Sequence, residues 1–269
     1  MPRRQKIRRL LLFVSFLFFP ATLYYFSPYL ILTGGAAGVV SGSFLMFAAL
    51  FLGSLVFGRA FCGWLCPAGG LQECCRTVVD TRLPGRRMDR IKFWIWVPWL
   101  IGIAAAFVHA GGIRSVHPFY MTNHGFSAAD LPGLATYFAV VALIAGLAMI
   151  TGRRAMCRSI CWMAPFMILG VRLRNRLGLP SLRLVADPSR CTGCGTCSRN
   201  CPMSLEVAGM VRSGRNDHPD CILCGVCADG CSRGVLSFAF QTPSRNSAGE
   251  GRPHPAAESP SAAPSGKLH

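Results

Sequence analysis

The sequence predicts an α-helical membrane protein of four transmembrane helices, followed by a small α+β domain toward the C-terminal end. Three observations predict it. The 269-residue chain is 52% hydrophobic and only 14% charged, too apolar for an ordinary soluble domain. Four apolar stretches approach the roughly 20 residues that a helix needs to cross a bilayer. The last third carries Cys191-x2-Cys194-x2-Cys197-x3-Cys201-Pro202 and then Cys221-x2-Cys224-x2-Cys227-x3-Cys231, one spacing written twice.

That spacing is the pattern of a two-cluster bacterial ferredoxin-like domain. A [4Fe–4S] cubane takes four thiolates converging from different directions. Three at two-residue intervals wrap one face, and in two-cluster ferredoxins the fourth Cys of each run ligates the other cluster. One cluster is therefore expected on Cys191, Cys194, Cys197 and Cys231, the other on Cys221, Cys224, Cys227 and Cys201. Paired zinc knuckles would use two C-x2-C pairs per ion and leave the third Cys of each run unexplained. The module spans residues 184–240. Short strands are expected at Val185, Leu205, Val207, Val235 and Leu236–Phe240, and with so small a core the metal supplies much of the folding energy.

The membrane domain is expected over residues 10–175, with spans at Leu10–Leu32, Ala36–Phe57, Ile91–Ala110 and Leu131–Ile150. Pro20, Pro28 and Pro98 lie in or near these spans, where neighbouring helices can satisfy the freed carbonyls. A fifth apolar run, Ile160–Val171, is too short to span and reads as interfacial or re-entrant. The first span reads as an uncleaved signal anchor, because its apolar stretch continues past Pro20.

The net charge is +17, and its distribution is informative. Residues 1–9 hold five Lys or Arg, the connection from Arg59 to Lys92 holds seven and that from Arg153 to Arg190 eight; residues 111–130 hold only Arg114. Positive loops mark the cytoplasmic side, so the basic N-terminus and the C-terminus are both expected there, in a multi-pass protein of a bacterial inner membrane. A nucleic-acid partner would need the charge gathered on a recognisable module, and none is present. All fourteen cysteines then fall on the reducing side or at its membrane edge, where thiols stay free for metal. Residues 241–269 are rich in Pro, Ser, Ala and Gly and read as a disordered tail.

The membrane half repeats weakly. The second span runs into Cys62-Gly63-Trp64-Leu65-Cys66-Pro67 and the fourth into Cys157-Arg158-Ser159-Ile160-Cys161-Trp162. At i,i+4 on a helix the two sulfurs of a pair share a face. If the halves pack together, four thiols converge on one metal or a third cluster; alternatively each pair cycles between dithiol and disulfide as a relay, or the four are simply buried small residues. Cys74 and Cys75 read as structural thiols. His109, His117 and His124 fall near the outer surface, where they read as solvated loop residues; with Arg114 and Asp130 they could also release protons at a quinol site. No facing pair of helical histidines is present for a b-type haem. Trp94, Trp96 and Trp99 suit an interfacial aromatic belt.

Together, the four spans, the two C-x3-C pairs and the two cluster runs resemble the NapH/MauN type of membrane-bound ferredoxin over about residues 8–240. One departure is Trp162, which stands where the family pattern has Pro. The resemblance implies quinol oxidation with electrons passed to a partner redox system of the nitrate-reductase or methylamine-utilisation type. In that reading the chain is an electron-transfer subunit, the membrane half holds a quinone site, and Cys62, Cys66, Cys157 and Cys161 lead to the clusters. Arg190, Arg199, Arg212, Arg215 and Arg233 would face an acidic partner. Two other readings fit the same residues: a maturation factor supplying electrons to a partner metalloenzyme or quinone-cofactor enzyme, and a copper or iron reductase. No hydrolase triad, phosphate loop or dinucleotide fingerprint appears.

Overall fold

A computed structural model describes residues 2–83, 88–214 and 217–242; Arg215 and the expected tail from 243 onward lie outside the described residues. The chain begins with α1 (Arg3–Leu17), which carries the basic start into the apolar region. The helix does not continue, because Pro20 has no N–H to donate and its ring crowds the carbonyl four residues back. The chain bends by 61° into α2 (Phe19–Thr22) and a 3-10 turn at Leu23–Phe26. The expected crossing Leu10–Leu32 is therefore broken. It is followed by α3 (Pro28–Ala36), with Pro28 in its first turn, and by the short strand β1 (Val39–Ser41).

The next three helices are α4 (Gly42–Phe57), α5 (Ala60–Trp64) and α6 (Pro67–Cys75). Then come α7 (Met88–His109), the strand β2 (Ser115–His117), which pairs parallel with β1, and α8 (Leu131–Thr151). Asp130 caps α8 by accepting from the Gly133 N–H at 3.0 Å, as a helix N-cap should. Of these helices α7 and α8 are long and apolar enough to cross a membrane. Their outward residues Trp94, Ile101, Val108 and Ile150 are exposed on the isolated chain, which suits a lipid-facing surface. At 16 residues α4 falls short of a full crossing, so two of the four expected spans are not single continuous helices.

The second half of the repeat completes with α9 (Ala155–Ser159) and α10 (Ala164–Arg176). The short apolar run Ile160–Val171 leads into and forms most of α10. Met167, Ile168 and Val171 are buried, and α10 packs on α4 so closely that a Cβ at Gly170 would lie 1.8 Å from Ser54 Oγ.

The C-terminal module is framed by β3 (Ser181–Ala186) and by the strand that closes the described chain. Between them lie α11 (Thr196–Arg199), α12 (Val207–Arg212) and α13 (Val226–Asp229). The closing strand, β4 (Leu236–Gln241), runs antiparallel to β3 with Ser181 opposite Gln241 and Ala186 opposite Leu236. Three strand expectations are corrected: Val207 opens α12 instead, Leu205 lies in the loop before it, and Val235 stands just before β4.

Candidate iron–sulfur and thiol sites

The two cysteine runs share one backbone path. Gly193 and Leu223, each just before the second Cys of its run, have φ of 74° and 50°. Gly195 and Gly225, each just after it, have φ of 70° and 76°, and each run then enters a four-residue helix, α11 or α13. Left-handed backbone costs a side-chain-bearing residue roughly 1–2 kcal/mol, so Leu223 needs support. Its carbonyl accepts from Trp64 Nε1 at 3.0 Å and its side chain is buried.

Cys201, Cys221, Cys224 and Cys227 line one small cavity, of about 20 Å³, walled otherwise by apolar groups such as Met203, Leu205, Ile222 and Phe238. One thiol comes from the first run and three from the second. Burial pushes the Cys201 thiol up to about 11 and that of Cys221 up to about 12. A thiol in such a site gives up its proton only to a strong local positive charge, which a bound metal supplies. Backbone N–H groups of Met203 and Leu205 reach Cys201, that of Leu223 reaches Cys221 and that of Ala228 reaches Cys227. These donors fit thiolate sulfur around a cluster, where such bonds tune the potential.

The other set is more open. Cys194 is exposed, whereas Cys191, Cys197 and Cys231 are half-buried. Cys191 and Cys194 lie within electrostatic reach of Cys197. The backbone N–H of Thr196, then its hydroxyl, hold the Cys194 thiol below its usual value. Cys231 follows α13, which packs against α11, whose first turn carries Cys197. Arg199 is tied to this loop, donating to the Cys194 carbonyl at 2.9 Å and to Thr196 Oγ1 at 2.9 Å.

The membrane-edge thiols come together across the repeat. Cys62, Cys66, Cys157 and Cys161 are all buried, and the other three lie within electrostatic reach of Cys66. The halves match in detail. Gly58 and Gly152 end the long helices at φ of 58° and 101°, and α5 and α9 carry the first thiol of each pair. The N–H of Cys66 donates to the Phe61 carbonyl at 3.0 Å, and that of Cys161 to the matching Met156 carbonyl at 2.9 Å. The pairs thus do not share one helical face as expected, since each short helix ends before the second thiol. Pro67 cannot donate into a continuing helix and biases Cys66 to extended backbone. In the other half Trp162 gives the same result, with Pro165 in the first turn of α10. The N–H three residues on, from Gly69 or Ala164, reaches the second thiol in both halves.

This thiol group stands directly behind the buried ferredoxin cavity. A Cβ at Gly63 would meet the Ile222 carbonyl oxygen at 2.2 Å and Cys224 Cα at 3.5 Å. Around that contact lies a set of ion pairs that sequence reasoning missed. Arg59 Nη1 and Lys92 Nζ donate to Asp220 Oδ1 at 2.8 and 2.6 Å, and Arg8 and Arg154 share Glu73 at 2.6 and 3.1 Å. Gln5 donates to the Cys224 carbonyl at 2.9 Å and Arg4 pairs with Asp229 at 2.6 Å. Arg153 donates to the Cys201 carbonyl at 3.1 Å, and Arg158 pairs with Asp89. A signal was present: an Arg stands three residues before the first Cys of each pair, at Arg59 and at Arg154.

Other candidates fall elsewhere. Cys74 lines a groove of about 380 Å³ between α1 and α6 that Arg9, Phe13, Glu73, Arg76 and Asp80 also line, and Cys75 is half-buried. His117 sits in β2 and His124 in a loop with its ring beside Asn123 Oδ1. Among the described residues no three His, Cys, Asp or Glu side chains lie close enough to share a single metal ion.

Comparison with known proteins agrees with these sites. A family described as a 4Fe-4S binding domain matches residues 41–84 and again 133–180, and one described as a 4Fe-4S dicluster domain matches 190–236. The chain is 26% identical over 238 residues to the putative electron transport protein YccM of Escherichia coli, covering 81% of this chain and 61% of YccM. It is 30% identical over 185 residues to the methylamine utilization ferredoxin-type protein MauN of Methylorubrum extorquens, covering 65% and 59%. With protein NirI of Paracoccus denitrificans it shares 28% over 195 residues, 68% of this chain and 26% of NirI. The chain thus spans about three fifths of the length of YccM and MauN. No solved structure matches. Site and matches define the class: a protein with 4Fe-4S binding domains and helices long and apolar enough to cross a membrane, similar to electron-transport and ferredoxin-type proteins. Within that class the chain is similar to the ferredoxin-type protein MauN, which supports the resemblance to the NapH/MauN type of membrane-bound ferredoxin.

Proposed function

We propose that the chain passes electrons between the quinone pool and a partner redox system, of the nitrate-reductase or methylamine-utilisation type, at the bacterial inner membrane. In this reading it crosses the membrane four times with both termini inside, and the membrane domain over 10–175 carries the ferredoxin module over 184–240. Cys201, Cys221, Cys224 and Cys227 hold one [4Fe–4S] cluster, and Cys191, Cys194, Cys197 and Cys231 hold a second. The clusters supply one-electron redox chemistry when bound.

The observation that carries the reading is the contact of Gly63 with Ile222, which sets the membrane-edge thiols against the buried cluster cavity. Trp64, Gln5 and Arg153 fix that contact by donating to the carbonyls of Leu223, Cys224 and Cys201. The groove between α1 and α6 suits a quinone headgroup. Its charged residues Arg9, Arg76, Glu73 and Asp80 balance, Leu12 and Phe13 line its apolar side, and Gln72 on the far side of α6 donates to Cys157 Sγ at 3.2 Å. The exposed Cys194 site, flanked by Arg190 and Arg233, faces the partner.

The test is anaerobic reconstitution of the full chain in lipid bilayers, addition of a reduced quinol, and low-temperature paramagnetic resonance with dithionite as control. Reduction of the clusters by quinol is the expected result. Reduction by dithionite alone overturns the quinone reading and favours a low-potential soluble donor or a maturation role.

A further inference from the structure

We propose that the connection between α7 and α8 is a tip seated in lipid. Val116, Phe119, Met121 and Phe126 enter the boundary between headgroups and acyl chains in the leaflet opposite the ferredoxin module. This rests on α7 and α8 crossing the membrane and is independent of the quinone reading.

Position is the first argument. Helix α8 has 21 residues, which at the usual rise is about 30 Å, the thickness of the hydrocarbon core of a bilayer. The ferredoxin module stands just past its C-terminal end, where Arg153 donates to the Cys201 carbonyl at 3.1 Å. The connection leads into its N-terminal end, at the other membrane surface.

Surface chemistry is the second. Residues 115–129 hold no Asp, Glu, Lys or Arg, and Arg114 and Asp130 bracket them. Val116, Phe119, Met121 and Phe126 are each 55–65% exposed. The flanking helix ends carry Val108 and Leu131, 79% and 80% exposed, so apolar side chains continue from the lipid-facing helices onto the connection. Exposed apolar groups gathered in this way mark an interaction surface. A protein partner is normally met by a polar rim around the apolar centre, and this stretch supplies no charge for one. His117, Asn123 and His124 are exposed too, and an imidazole, apolar in body and polar at its tip, suits the headgroup level.

The tip is held in shape. Strand β2 pairs with β1, and a Cβ at Gly42 would lie 2.1 Å from the Pro118 carbonyl oxygen. Asn123 and Phe126 exchange backbone hydrogen bonds at 3.1 and 3.0 Å. The Phe119 ring lies 3.4 Å from where a Cβ would stand on Gly125, beside Phe126 in the chain. Met121 and His124 hold φ of 55° and 51°, a left-handed backbone that side-chain-bearing residues adopt at a cost. Such strain persists where the surrounding structure enforces it and gathers at functional positions.

The same tip secures the broken first helix. In a continuing helix the Tyr24 N–H would bond the Pro20 carbonyl. It donates instead to Ser127 Oγ at 2.9 Å, and the Pro20 carbonyl takes the Ala128 N–H at 3.0 Å. Ser127 Oγ in turn donates to the Ala21 carbonyl at 2.7 Å. Lipid that receives the tip therefore also fixes the 61° bend against the bilayer.

The experiment places the full chain in lipid nanodiscs, one chain per disc, without quinol. Their phosphatidylcholine is unbrominated, brominated high in the acyl chain or brominated near its end. Phe119→Trp and Phe126→Trp each add one indole to the five of the wild type, whose emission is subtracted. The added emission should be quenched strongly by the shallow bromines, weakly by the deep ones and not by iodide in the water, as for a group about 5–10 Å into the boundary. Quenching by iodide without quenching by bromine leaves the tip in water and overturns the proposal. Quenching by neither means that the chain itself covers the tip, and overturns it as well. If neither variant accumulates, the wild type decides: phosphatidylcholine with a photoreactive diazirine high in its chain should crosslink to residues 115–129. Crosslinks on α8 with none on that stretch overturn the proposal.

Discussion

Gly63 and Ile222 meet backbone to backbone, with space for a hydrogen on residue 63 and nothing larger: an added Cβ would lie 2.2 Å from the Ile222 carbonyl oxygen. The obstacle is main chain, so no rotamer change relieves it. The ferredoxin module is held to the membrane part at this point and by the hydrogen bonds that surround it.

Gly63→Ala should therefore push the two parts apart. The expected loss is about 1–3 kcal/mol, the usual cost of overpacking, read as a lower thermal midpoint. Cluster reduction through the membrane part should slow as well. An alanine variant with unchanged midpoint and unchanged reduction would contradict the contact.

Asp220→Asn removes the carboxylate that Arg59 and Lys92 share. Breaking one side of a buried ion pair costs about 3–5 kcal/mol, because the remaining charge is uncompensated. Adding Lys92→Met should recover part of that loss, since it removes one of the stranded cations. Denaturant titration of the single and double variants makes the comparison.

Acidification should weaken the fold through His218. Desolvation holds the imidazole below the usual value even though the residue is exposed, against the pull of Asp220 and Asp89, and Nδ1 accepts the Asp220 N–H at 3.1 Å. Because the folded value is depressed, the unfolded chain binds the proton more readily, and stability present above the unfolded value of about 6.5 is lost as pH falls toward the folded value. Urea midpoints at about pH 8 and about pH 5.5 should differ, and His218→Gln should flatten that difference.

The two ferredoxin sites should differ in resistance to oxygen and chelators. Cys194 is exposed, whereas Cys201, Cys224 and Cys227 are buried. Paramagnetic signals followed during chelator treatment should decay in two phases, with the fast phase absent from Cys194→Ser. A single common rate would remove the distinction.

Much of this architecture was legible in the cysteine spacing. The runs at 191–201 and 221–231 announce a repeated backbone path, and the structure repeats it down to the left-handed turns at Gly193 and Leu223. The C-x3-C pairs announced the duplication of the membrane half. Hydropathy was less informative at the first span, because the effect of Pro20 depends on which neighbours satisfy the freed carbonyls, and the helix breaks there. Val207 has a strand-forming side chain but opens α12 behind Glu206, where packing overrides propensity. The buried ion pairs were hidden for a different reason. Counting Arg and Lys by loop reports sidedness, and it cannot show that Arg59, Arg154 and Arg8 turn inward to carboxylates far along the chain.

The bonds from Arg4 to Asp229 and from Gln5 to the Cys224 carbonyl link the first turn of α1 with α13 and the loop just before it. A ribosome makes the two ends of that link at nearly opposite times. The first turn of α1 is made before nearly all the rest of the chain, and it can be clasped only once residues 224–229 have emerged, so the two ends of the described fold are tied together as one of the last events of synthesis.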